Sequence, residues 1–195
     1  MESLLAVILG IGLAASCGFR VFAPLLVVSA AGQAGYLDLA HGFDWIATWP
    51  AIVAFAVAAV VEIGAFYIPW LDNLLDAIAS PIAVIAGAVL FAAVAVDLDP
   101  YLKWSLAIIA GGGSAAIVQG GTVLTRAAST GTTGGLANFA VSTLETVAGF
   151  FFSLMAIVVP VLTLILLVAL IAAMYVLSRR VLRTLVARQD ANRLR

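Results

Sequence analysis

The chain has 195 residues, 65% of them hydrophobic and only 10% charged, with a formal net charge of −1 and a mean hydropathy of +1.21. Soluble domains carry about 25% charged residues, so an ordinary water-soluble domain is excluded, and a net charge this small excludes a nucleic-acid partner held by basic residues. Ala-, Leu- and Val-rich blocks that reach the roughly 20 residues of a membrane-crossing helix predict an all-α polytopic membrane helix bundle; a β-barrel would show short alternating segments instead.

Residues 4–32 form one apolar stretch interrupted at SCGFR. The beginning of the chain has an apolar core and small residues near Ser16, but Glu2 stands where a signal peptide carries basic residues, so the segment reads as a retained first helix. Cys17 is the single cysteine and has no internal disulfide partner. Gly18 lowers the cost of irregular backbone, and Pro24 withholds the usual donor from the carbonyl of Arg20. The pattern predicts a discontinuous helix with Arg20 at the break.

From Gln33 to Trp49 the chain has no Lys or Arg and carries Asp38, Asp44 and its single histidine, His41. A lone histidine there reads as a surface residue rather than a ligand. Residues 50–68 are bracketed by Trp49 and Trp70, residues that favour the membrane interface, and give a helix of about 28 Å at ~1.5 Å per residue. Glu62 lies inside that span. Residues 69–80 resemble a short amphipathic or interfacial piece with Asp72 and Asp76 on one face at i,i+4. Ser80 then reads as an N-cap, with Pro81 opening a span to Val96. A further helix runs from about Tyr101 to Gln119.

The stretch VLTRAASTGTTGGLANF, residues 123–139, sets Arg126 among glycines and hydroxyls inside this apolar chain and predicts a second break. Backbone that is not helical at membrane depth survives only under cover of protein or in a water-filled cavity, and Gly-rich breaks in helices point to transporter sites. Arg126 offers a fork of donors for a phosphate or carboxylate. Ser129, Thr130, Thr132 and Thr133 add hydroxyls, and Asn138 or a nearby residue can start a helix whose positive end would face the same anion. A Gly/Thr-rich packing surface accounts for the glycines but not for the arginine. Glu145 follows, and residues 146–178 close the membrane part.

Arg20, Glu62, Arg126 and Glu145 are all costly in such segments, at about 2.5–3.5 kcal/mol for a charge at a helix centre, and residues of this kind face a cavity or a partner. The arginines read as substrate-binding, Glu62 and Glu145 as proton-coupling. Each of the halves 1–97 and 98–178 places an arginine before a glutamate, a weak symmetry because the spacing is 42 residues (20 to 62) against 19 (126 to 145); the halves would be an inverted repeat if each crosses an odd number of times. Six of the nine basic residues follow residue 178, so the tail 179–195 is expected to be cytoplasmic and the 33–49 loop outside. About six crossings result if 4–32 crosses once as a broken helix and 122–142 also crosses; a re-entrant hairpin at either place changes the count.

At CGFRVFAPLL, YIPWLDNLLDAIASPIAV and IIAGGGSAAIVQGGTVLTRAASTGTTGGLANFAVSTLE the chain resembles a bacterial multi-pass membrane family known as a domain of unknown function, DUF4126, over roughly Leu4 to Leu177. The resemblance implies an integral inner-membrane protein and brings no activity, cofactor or catalytic residue. A looser likeness of architecture to small lipid-carrier transporters warrants only a hypothesis. The expected function is a small secondary transporter or flippase for an anionic, phosphate- or carboxylate-bearing substrate, with a membrane scaffold or assembly factor as the alternative. No nucleophile–base pair or Cys/His cluster supports an enzyme or a metal. The expected partners are membrane lipids and an anionic small molecule or lipid, and self-association into a homo-oligomer is compatible with the sequence.

Overall fold

The computed structural model describes residues 2–65, 68–173, 175 and 176, with the backbone alone for Glu2 and residues 69–76. The acidic face of Asp72 and Asp76 and the basic tail 179–195 lie outside what is described. The described residues form an all-α bundle. In chain order its helices are α1 (Glu2–Cys17), α2 (Phe22–Gln33), α3 (Trp49–Ala65), α4 (Pro69–Val94), α5 (Pro100–Leu106), α6 (Gly113–Thr133), α7 (Asn138–Val158) and α8 (Pro160–Ala173). A π-helical segment, Ala107–Gly112, joins α5 to α6 without a break.

The windows Ala77–Val94, Pro100–Thr133 and Asn138–Val158 are long and apolar enough to cross a membrane, by length and composition; α2, α3 and α8 are shorter apolar helices, as is Ser3–Cys17 of α1. Large apolar side chains such as Val60, Ile109 and Val158 point outward, where hydrocarbon can receive them. These helices point to a membrane protein. Six crossings would require several of the shorter helices as well.

Two expected boundaries are corrected. Pro81 does not open a helix: α4 begins at Pro69 after an extended Ile68 and carries Pro81 in its interior. The proline forfeits one i→i−4 bond, a loss that neighbouring helices make tolerable in apolar bundles. Nor does the backbone break at Arg126. It stays helical to Thr133 and turns only at Gly134, whose φ of +64° is the left-handed cap that glycine adopts without strain. At the other expected break the chain does leave helix, between Cys17 and Phe22.

The second half of α1 is the axis of the bundle. Leu13, Ala14, Ala15, Ser16 and Cys17 are buried, and α1 packs on α4, α6 and α7. Close approach depends on missing side chains: a Cβ at Gly87 of α4 would stand 2.7 Å from the Cβ of Ala115 in α6. The 33–49 loop folds back onto this core. Its Ile46 and Ala40 are buried, the Ser29 hydroxyl donates to the Ile46 carbonyl, and the Ala40 amide donates to Ala93 at 2.7 Å. α3 stands on the periphery, packed mainly on α2.

Candidate functional site

The end of α1 tightens before it opens. The Gly18 amide donates to Ala15 at 3.0 Å and the Phe19 amide to Ser16 at 3.1 Å. Gly18 lies directly on α6: an added Cβ would come within 2.6 Å of the Ala115 carbonyl oxygen and of Val118 Cβ. This contact aims Arg20, two residues on, across the bundle at α7.

On α7, Ser142, Glu145, Thr146 and Gly149 fall at the spacing of one helix face, and that face receives the arginine. The Nε of Arg20 donates to Thr146 Oγ1 at 3.0 Å. Its Nη2 donates to the Ser142 carbonyl at 2.9 Å and to Ser142 Oγ at 2.6 Å, with Glu145 Oε2 at 3.6 Å. The stem of Arg20 packs on α7 at Gly149, where an added Cβ would make an ordinary contact at 3.4 Å from Arg20 Cβ.

Arg126 reaches the same carboxylate from the other side. Ala115, Val118, Gln119, Thr122 and Arg126 form the buried stripe of α6, with three- and four-residue steps that bring the guanidinium inward. Its Nε donates to Glu145 Oε1 at 3.2 Å and its Nη2 to Glu145 Oε2, the bidentate pairing that suits a planar fork. Arg20, Arg126 and Glu145 are 1%, 4% and 5% exposed. Buried charge of this kind is stable only when paired and hydrogen-bonded, and one carboxylate serves two guanidiniums here.

Glu62 has a different place. Its Oε1 accepts from the Val21 amide at 2.8 Å and its Oε2 from the Phe22 amide at 3.0 Å. The carboxylate thus caps α2, satisfying amides that every helix start leaves open and sitting at the positive end of the helix dipole. Pro24, in the first turn, has no amide to satisfy. Arg20 directly precedes Val21, whose amide Glu62 holds, so half-buried Glu62 adjoins the buried neighbourhood of Arg20, Arg126 and Glu145.

The expected hydroxyls do not join it. Thr132 Oγ1 donates to Ala128 at 2.8 Å and Thr133 Oγ1 to Ser129 at 2.8 Å, both backbone carbonyls of their own helix. Asn138 Nδ2 donates to Thr130 Oγ1 at 3.0 Å. Thr130, Thr132 and Thr133 are exposed, and Ser129 is half-buried one turn beyond Arg126. These residues close the α6–α7 turn; their described hydrogen bonds do not reach the guanidinium. Asn138 does begin α7, as expected.

Sequence reasoning missed Ser142, Thr146, the seat of Gly18 on α6 and the two α2 amides. The first two were within reach, as a polar stripe around Glu145 in an apolar helix. The capping of α2 by Glu62 was not, because no local pattern links residues so far apart in the chain. His41 is exposed, and no cluster of potential metal ligands occurs among the described residues.

No curated protein and no solved structure matches the chain. The sequence profile described as Domain of unknown function (DUF4126) matches residues 7–180. That span takes in α2 to α8, all but the start of α1, and every charged residue of the buried neighbourhood, so the chain belongs to the DUF4126 family.

Proposed function

We propose that the protein is a small secondary transporter or flippase for an anionic substrate, and that the anion competes with Glu145 for the guanidinium of Arg126. One observation carries this reading: a single buried carboxylate is shared by two arginines. An incoming phosphate or carboxylate can take the fork of Arg126, while Arg20 keeps the neutral acceptors on Ser142 and Thr146. Glu145, left with Arg20 at 3.6 Å in place of a bidentate partner, then gains by taking up a proton. Anion and proton binding thereby favour each other. Glu62, which adjoins the same neighbourhood, is a second carboxyl able to respond. The binding role falls to Arg20 and Arg126, while Ser129, Thr130, Thr132, Thr133 and Asn138 shape the turn beside it.

Proteoliposomes holding the full chain test this with labelled inorganic phosphate, a labelled small carboxylate and a fluorescent anionic lipid as probes. At least one should move, Arg126→Ala should abolish the movement, and Glu145→Gln should remove its pH dependence. Absence of movement for all three, or flux unchanged in Arg126→Ala, would overturn the reading.

A scaffold is the second reading, favoured by the bidentate Arg126–Glu145 pairing and the tight seat of Gly18, which together make a rigid brace. For orientation, we place residues 179–195 in the cytoplasm and the 33–49 loop opposite, on the distribution of arginines. A cysteine at exposed His41 should therefore react with an impermeant reagent added from outside intact cells, and a reporter after Arg195 should stay shielded; labelling from one common side would reverse or refute this.

A further inference from the structure

The chain just after Arg20 has few ties of its own. Pro24 has no amide to return to the Arg20 carbonyl. Helix α2 begins at Phe22, so the amides of Val21 and Phe22 come before any helical acceptor. Glu62 takes both, at 2.8 Å and 3.0 Å. Arg20 is thereby held from two sides: Gly18 lies against α6 on one, and a carboxylate of α3 fixes the next two amides on the other. Two neighbouring amides need two acceptor oxygens on one planar group. A carboxylate has them, whereas a carboxamide has one oxygen and would turn an N–H toward the second amide.

The helix that supplies this carboxylate is lightly anchored. Of its residues Ala51 and Ala59 are buried, and it packs mainly on α2. Beside Glu62 a cavity of about 210 Å³ separates α3 from α4, lined by Val21, Phe22, Ala58, Ile78 and Ile82 among others. The two bonds of Glu62 are therefore a large part of what fixes α3 against the gap. At the far end, three of the described hydrogen bonds of Arg20 go to Ser142 and Thr146. Such bonds weaken steeply when their angles depart from linear, so a small turn of the Arg20 backbone is felt on α7.

We propose that Glu62 is a positioning residue for Arg20: its carboxylate ties α3 to the gap between α1 and α2, and the seat of the guanidinium on α7 depends on that tie. A shift of α3, for which the cavity leaves room, passes to Arg20 through the amides of Val21 and Phe22. The positioning role stands apart from the transporter reading; on that reading, α3 sets how firmly one of the two binding arginines is held.

A double-mutant cycle on the full chain in detergent micelles tests the tie, with folding constants from chemical denaturation. Ser142→Ala removes the Oγ acceptor of Arg20 and should lower the folding constant about tenfold, the ratio that one hydrogen bond to a charged group supplies. In Glu62→Gln the guanidinium has already lost its alignment, so the same substitution should cost under about threefold. Thr163→Ala is the control: Thr163 is buried on α8 and donates to Val159 of its own turn, so its cost should be equal in both backgrounds. Equal cost of Ser142→Ala in both backgrounds overturns the proposal. Should Glu62→Gln fail to fold, the reciprocal measurement needs only the other two variants, because coupling between sites is mutual. Hydrogen exchange at the Val21 and Phe22 amides should rise severalfold in Ser142→Ala and not in Thr163→Ala; equal exchange in the two overturns the proposal. Anion flux in proteoliposomes decides the transporter reading separately. Coupling without flux leaves Glu62 positioning Arg20 and sinks transport, while flux with an additive cycle sinks the positioning role alone.

Discussion

Arg20 and Arg126 bring their guanidiniums to the same carboxylate from backbones of opposite kind. Arg20 stands in the gap between α1 and α2, held there by Gly18 against α6, and three of its described hydrogen bonds go to neutral acceptors on Ser142 and Thr146. Arg126 lies inside a continuous helix and gives two bonds to Glu145. The gap is a fixed seat that works without the carboxylate; the helix supplies a charge whose partner can be exchanged. A binding event that draws Glu145 away therefore acts first on Arg126.

The largest effect expected from this contrast follows removal of one charge. Arg126→Ala should destabilise the protein by about 3–5 kcal/mol, since a buried carboxylate loses its bidentate partner. Replacing both partners, Arg126→Met with Glu145→Leu, should restore most of that stability, because well-packed apolar groups often match a buried ion pair. Denaturation in detergent micelles measures both. If the double variant is as unstable as the single one, the pair is not the exchangeable element described here. A stable double variant without transport separates function from bracing.

Gly18 tests the seat of Arg20. A methyl there would meet the backbone of Ala115 and Gln119 as well as Val118, and backbone in a packed helix cannot move aside cheaply. Gly18→Ala should cost about 1–3 kcal/mol, the range for overpacking. Gly120 is the control on the opposing helix, because nothing lies within 4 Å of a Cβ added there. Gly120→Ala should be neutral or gain up to about 1 kcal/mol in helix propensity. Similar losses at both glycines would mean that helix α6 and the gap are not packed as observed.

The two arginine regions were unequally legible in the sequence. At Cys17-Gly18 and Pro24 the irregularity is written in residue types whose backbone preferences are strong and local, and the gap falls where they place it. Around Arg126 the same reasoning misread the hydroxyls. Threonines inside a helix can donate back to the preceding turn, as Thr125 does to Gly121 at 2.8 Å and Thr133 to Ser129, so a Thr/Gly-rich run need not leave the helix. The inward stripe through Val118, Thr122 and Arg126 already carried the helical period. Pro81 was misread because Ser-Pro marks helix starts only when nothing upstream is helical, and α4 had begun at Pro69. The meeting of both arginines at Glu145, and of Glu62 with α2, depends on tertiary packing that spacing along the chain does not encode.

The smallest expected effects bear on whether Arg126 belongs to a continuous helix at all, and a pair of glycines near its end gives the sign. Gly131 sits in helical backbone with nothing within 4 Å of an added Cβ, while Gly134 has φ +64°. In a continuous α6, Gly131→Ala removes flexibility from the unfolded chain and should stabilise by about 0.5–1 kcal/mol. Gly134→Ala places a side chain in the left-handed region and should destabilise by about 1–2 kcal/mol. A glycine-lined break at membrane depth would behave otherwise: Gly131 would be needed for close approach of its backbone, and its substitution would cost stability as well. Opposite signs in chemical denaturation therefore support a helix that ends at a glycine cap, and losses at both positions would return Arg126 to a broken segment. The distinction matters for mechanism, because a guanidinium on an unbroken helix keeps its position when Glu145 leaves. Exchange of its partner then requires no refolding of the backbone that carries it.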